Sequence, residues 1–246
     1  MLACEGWTVQ PVEISMGFRA KDSLAEQIAQ HLAEQIVRGD LLEGERIQEL
    51  RIAKELKVSR GSVREALLLL EQRHLIEIYA RRGAIVSELT VQHVRALYEL
   101  FALLIGRLLQ HVLRRGQTGA REAWQLQLQR LREALSVGDQ EVFAAEVFAF
   151  VRLSYRWADN SYLEDVVEDL EPALRRCTFL VLHSGPRAAE ALYEGLRQLG
   201  ELLARGDEAP ALQRAEEMVQ EQCEQVVDAL LRIKQVELAW AQRHRR

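Results

Sequence analysis

The sequence predicts a mainly α protein: three short helices closed by a small two-stranded wing, then an all-helical bundle. Three observations carry that prediction. Hydrophobic residues make up 48% of the chain and charged residues 28%, with only 4 prolines and 6% aromatics, the balance of a helical globular protein with enough apolar matter for a sizeable core. Apolar residues recur at helical spacing along most of the chain, and a strand pattern is confined to a short stretch near residues 76–86. Finally, 246 residues suit two modest domains, since domains commonly hold about 100–200. The division predicted is an N-terminal arm over 1–20, a first domain over 21–88 and the bundle over 89–246.

After the arm, Leu24, Ile28, Leu32 and Ile36 repeat along one helix face, with Asp22 or Ser23 placed to cap its start and Gly39-Asp40 to stop it. "LLEGERI" breaks the pattern. Ile52, Ala53 and Leu56 then supply the inner face of a short second helix. Lys57-Val58 turns, and the Ser59 hydroxyl is placed to accept the free amide hydrogens that open a third helix. Val63, Ala66, Leu67 and Leu70 form its buried stripe. Ile76 and Ile78, then Ile85 and Val86, flank Ala80-Arg81-Arg82-Gly83, which predicts two short strands around a basic tip. From Thr90 the pattern predicts helices near 90–115, 118–137, 139–158, 160–182, 186–205 and 208–240. Gly138-Asp139 and Gly206-Asp207 act as paired stop and start signals.

A net charge of −5 speaks against a polyanion partner, but its distribution does not. From Arg51 to Arg82 there are eight basic residues against four acidic ones, a local +4, so the remainder carries −9. Within that segment Arg60 and Arg64 stand one turn apart at the start of the third helix, displaced about a hundred degrees from its apolar stripe on the solvent side. Taken alone, such a pair is an ordinary solvated helix face. With three helices and a basic wing around it, the segment describes a winged helix-turn-helix, whose early recognition-helix turns enter the DNA major groove.

The stretch from Gln35 to Leu89 resembles the DNA-binding domain of the GntR family of bacterial transcription regulators. The matching residues are Gly39, Gly44, Glu49, Ala53, Leu56, Val58-Ser59-Arg60, Val63-Arg64-Glu65-Ala66-Leu67, Leu70, Gly83-Ala84 and Val86. The resemblance implies that Arg60 and Arg64 contact the major groove, Ser59 a phosphate, and that Gly83 brings the wing tip close to the minor groove. Arg51, Lys54, Arg81 and Arg82 are expected to position phosphates, adding affinity and salt dependence without sequence information. Three positions depart from the family: Glu43 and Ser62 stand where proline is usual, and His74 where glycine is usual.

The helical remainder is similar to the FCD effector domain of the FadR subfamily, through "FVRLSYRWADNSYL" and "LRQLGELLARGD". Many such domains hold a divalent metal with one aspartate and three histidines. In this chain the corresponding positions fall on Val147, Val151 and Leu196, with the last near Glu221 or Gln222, and a frequent arginine becomes Phe101. Valine and leucine cannot ligate a metal, so no metal cofactor is expected. Two readings follow. Either Phe101, Val147, Val151, Tyr155 and Leu196 surround an apolar effector, or these side chains fill the space as core and the domain serves dimerisation only.

Other classes are expected to be absent. No P-loop, dinucleotide-binding, zinc-protease or nucleophile-elbow motif occurs, which speaks against an enzyme. Cys4, Cys177 and Cys223 form no metal or redox pair and are expected to be simple thiols, and the six histidines show no ligand spacing. The first twenty residues lack a secretory pattern and no apolar run approaches the roughly 18–20 residues of a membrane span, so no membrane partner is expected. The expectation is a cytoplasmic, homodimeric repressor on a palindromic double-stranded DNA operator, its affinity set by a small apolar effector; the alternative is a ligand-independent DNA-binding dimer.

Overall fold

A computed structural model describes residues 23–115, 118–185 and 187–243; the predicted arm lies outside these residues. The side chains of residues 115, 118, 155, 156, 237, 238 and 241–243 also lie outside the description. The elements run α1 (Leu24–Arg38), β1 (Arg46–Ile47), α2 (Glu49–Leu56), α3 (Arg60–Gln72), β2 (Ile76–Tyr79), β3 (Gly83–Val86), α4 (Val91–Arg115), α5 (Thr118–Val137), α6 (Gln140–Ala158), α7 (Ser161–His183), α8 (Arg187–Arg205) and α9 (Glu208–Arg243).

The local signals act as their chemistry dictates. Ser23 caps α1 through the Glu26 amide at 3.1 Å, and Ser59 caps α3 through the Ser62 amide at 3.0 Å. Asp139 opens α6 by accepting from the Glu141 and Val142 amides, and Asn160 opens α7 by accepting from Leu163. Leu24, counted by periodicity among the inner residues of α1, is instead half exposed at the first turn, where no neighbouring element covers it.

The wing holds more than the two strands predicted. β1 joins the hairpin to give an antiparallel sheet of order β1-β3-β2, pairing Arg46 with Ile85, and Ile76 with Val86. Two residues are too short for an alternating pattern, and β1 exists because β3 offers a free edge to pair with. Ile76 and Val86 are buried against the helices, whereas Ile78 and Tyr79 project beyond the core with the tip. His74 sits at φ +58°, a left-handed conformation natural to glycine, which explains why glycine is usual there.

Two apolar cores form. One joins Leu32 and Ile36 of α1, Ile52 of α2, Val63, Leu67 and Leu70 of α3, and Ile76, Ala84 and Val86 of the sheet. The other fills the bundle, with Leu108, Trp124, Leu131, Phe143, Leu182, Leu203 and Val226 among its members. Cys177 and Cys223 are buried free thiols in this second core, and burial pushes the Cys177 thiol up to about 12, so it stays protonated. One sequence expectation needs correction. Val91–Arg114 is long and apolar enough, by length and composition, to cross a membrane. In this fold it is α4, packed on α6, α7 and α9 with Val94, Leu108 and Leu109 fully buried.

Candidate DNA interface and ligand cavity

The predicted basic residues occupy three neighbouring surfaces of the first domain. Arg60 and Arg64 project from the first two turns of α3, with 56% and 63% of their side-chain surface exposed. Val63, Ala66, Leu67 and Leu70 bury the neighbouring face of the helix, which leaves the arginines on its solvent side. Ser59 is exposed at the same helix start, where unpaired amides and the helix dipole favour an anionic oxygen. Arg51 and Lys54 are exposed on α2, Arg51 paired with Glu55 at 3.6 Å. Arg81 and Arg82 are exposed at the wing tip, followed by Gly83 at φ +81°.

Two participants escaped the sequence reading. Glu49, on α2, accepts from Arg64 Nε at 2.9 Å and lies 3.9 Å from an Arg60 nitrogen, so one carboxylate sits against both arginines at the start of α3. Its position 11 and 15 residues upstream hides this relation until α2 packs against α3. Arg46 escaped because β1 escaped. Its guanidinium reaches the wing, about 3.7 Å from where a side chain on Gly83 would begin, and adds a cation to the tip.

In the bundle, α4, α6, α7, α8 and α9 enclose a cavity of about 90 Å³. Room for one water needs roughly 10–15 Å³, so the space suits a small organic molecule. Phe101, Val147, Val151 and Leu196 all line it, joined by Tyr98, Phe148, Leu174, Thr178, Met218 and Gln222. The side chain of Tyr155 lies outside the described residues. Gln222, rather than Glu221, is the α9 residue at the wall; Glu221 instead pairs with Arg214 at 3.1 Å. The set Val147, Val151, Leu196 and Gln222 offers a metal one neutral amide and three hydrocarbons, which does not fit a divalent ion. Among the described residues no three His, Cys, Asp or Glu side chains gather at a metal-holding distance.

α7 connects the cavity to the DNA-binding unit. Leu174 and Thr178 line the cavity. From the same helix Arg176 donates to the Ser87 carbonyl and to Glu43, both at 2.9 Å, and Asp169 lies 4.0 Å from Arg73 just after α3, which also pairs with Glu26 of α1 at 2.6 Å. Glu43 additionally accepts from the Leu89 amide at 3.1 Å. Burial pushes the Arg176 guanidinium pKa down while Glu43 pulls it back. The latch uses Glu43, one of the positions where proline is usual.

Comparison with known proteins agrees with this architecture. Residues 24–86 match the model described as bacterial regulatory proteins of the gntR family, and residues 96–221, just over half of the chain, match the FCD domain. No curated protein matches the chain in sequence. A putative GntR transcriptional regulator from Rhodococcus sp. RHA1 superposes with a TM-score of 0.70 at 19% identity, over 83% of this chain and 98% of that one. McbR/YncC of E. coli gives 0.68 at 21% identity, over 84% and 98%. Lar of Listeria monocytogenes, described as controlling expression of the agr system, gives 0.59 at 20% identity, over 84% and 97%. With a winged headpiece and an FCD bundle matched in order along one chain, this protein belongs to the GntR family of bacterial transcription regulators.

Proposed function

We propose that this regulator is a homodimeric repressor whose hold on a palindromic operator is set by a small, relatively apolar effector bound in the helical domain. The observation that carries the reading is the cavity. Four side chains placed by sequence on α4, α6 and α8 meet around one space lined almost wholly by hydrocarbon, with no metal-ligand set among the described residues. Repression needs only occupancy of the operator, which two paired headpieces deliver without touching polymerase. Leu100 and Leu103 on α4, the latter 70% exposed, give the bundle an apolar stripe of the kind that subunit contacts cover. Such a regulator works where its DNA is, in the cytoplasm.

On DNA, Arg60 and Arg64 read base edges, Ser59 binds a phosphate, and Gly83 lets the wing tip approach the minor groove. Arg51, Lys54, Arg81 and Arg82 neutralise phosphates, with Arg46 beside them. Arg82→Ala is accordingly expected to lower the slope of log K against log salt by about 0.9, one phosphate contact. Binding isotherms from low to high salt check this, and an unaltered slope removes the wing contact.

An effector can regulate only through a difference in affinity for two arrangements of the protein. α7 is one element through which that difference can reach the headpiece, since it touches both; α6, which lines the cavity and pairs Glu141 with Arg38 of α1 at 3.0 Å, is another. Native mass spectrometry of the purified protein tests the reading. A dimer carrying an organic mass and no metal supports it, whereas a metal adduct overturns the apolar assignment. Val147→Phe, which fills the cavity with a ring, is expected to cost about 1–3 kcal/mol of stability or less and to leave operator binding unresponsive to the retained ligand; a full response in this variant removes the cavity from the mechanism.

A further inference from the structure

Resting on the proposal that the cavity is the effector site, we infer that its ligand is an uncharged molecule whose apolar body carries a hydrogen-bond donor, such as a hydroxyl or amide, received by Gln222. The Gln222 amide nitrogen donates to Gln225 Oε1 at 3.2 Å. That bond leaves its carbonyl oxygen at the cavity wall, buried and without a partner. A buried acceptor left unpaired is costly, and a ligand that brings a donor to it recovers that cost.

The other polar groups of the wall narrow the class further. Tyr98 and Thr178 both line the wall, and burial pushes the Tyr98 phenol far above its ordinary pKa, so it remains a neutral phenol. Ser154, almost fully buried on α6, adds a hydroxyl at the same wall. Among the described lining residues none is charged. A carboxylate in this space would meet a carbonyl oxygen and neutral hydroxyls but no cation, and a buried ion without a counterion is expelled or neutralised. An ammonium would find neutral acceptors and no counterion among the described lining residues. The unpaired oxygen therefore selects a neutral donor, and the cavity volume selects a body of single-ring or short-chain size.

The test measures binding of four probes to the full-length protein by calorimetry: benzyl alcohol, toluene, benzyl methyl ether and benzoate. Benzyl alcohol is expected to bind more tightly than benzyl methyl ether, which lacks the donor, and benzoate to bind at least a hundredfold more weakly or not at all. In Gln222→Met, which keeps the bulk and removes the oxygen, the preference for benzyl alcohol over toluene is expected to fall roughly three- to tenfold relative to wild type, the ratio worth one neutral hydrogen bond. Because only the ratio is read, a general loss of affinity in the variant does not mimic the effect. Benzoate binding more tightly than benzyl alcohol, or an alcohol-to-toluene ratio unmoved by Gln222→Met, overturns the inference and leaves the cavity reading in place. Failure of every probe to bind wild type, together with Val147→Phe indistinguishable from wild type in operator response, overturns the cavity reading itself.

Discussion

Arg64→Ala weakens binding to the true operator by about 1–3 kcal/mol, the value of one bidentate base contact, and weakens binding to a scrambled duplex far less. The side chain starts from a free-state partner, Glu49 at 2.9 Å, so its entry into the groove trades one carboxylate for base acceptors or adds to it. Removing the arginine also leaves Glu49 with only Arg60, at 3.9 Å, to balance it close to the DNA phosphates. The first effect trims the loss and the second adds to it. Anisotropy titrations at one fixed salt concentration, on operator and scrambled DNA in parallel, separate the roles. An equal loss on both duplexes demotes Arg64 to a phosphate contact, and no loss on either removes it from the interface.

The second large effect is expected at Arg176. This guanidinium, with 10% of its side-chain surface exposed, holds the Ser87 carbonyl and Glu43 together and so fastens α7 to the segment joining the two domains. Arg176→Ala takes this donor from the Ser87 carbonyl and from Glu43, which keeps the Leu89 amide. The expected loss is about 1–3 kcal/mol, toward the lower end because Glu43 remains partly hydrated. The diagnostic result lies in cooperativity. With the latch cut, the single unfolding transition expected of a tightly coupled pair separates into two, one for each core, and proteolysis near residues 87–90 accelerates. Differential scanning calorimetry reads the first and limited proteolysis the second. One unchanged transition with unchanged digestion would show that α1 and α7 hold the domains without Arg176.

That latch also marks where reading the chain ends and packing begins. The helix boundaries of the bundle were legible to within a few residues, because stop and start signals such as Gly138-Asp139 act on their own nearest amides. The recognition helix was legible for the same reason: its cap, its apolar stripe and its arginines all lie within one short run of sequence. β1 was not, since two residues carry no period and acquire strand geometry only by pairing with β3. Glu49 and Arg46 were missed with it. Neither has a local signature, and each matters only for what a folded neighbour brings within a few ångströms.

The candidate cavity divides in the same way. The substitution of hydrocarbon for ligating side chains at Val147, Val151 and Leu196 is visible along the chain, and that substitution by itself argues against a metal. Whether those residues bound a space or fill it is not visible there, because volume depends on how five helices meet. The structure leaves about 90 Å³ between them and turns Gln222, not Glu221, to the wall with its oxygen unpaired. Local chemistry, read from composition, caps and periodicity, determined the mainly helical fold class, the helix positions and the solvent-facing arginines of α3. Tertiary packing alone decided the third strand, the carboxylate that holds those arginines, the α7 latch and the open cavity, since each is a relation between residues far apart in sequence that exists only once the cores close.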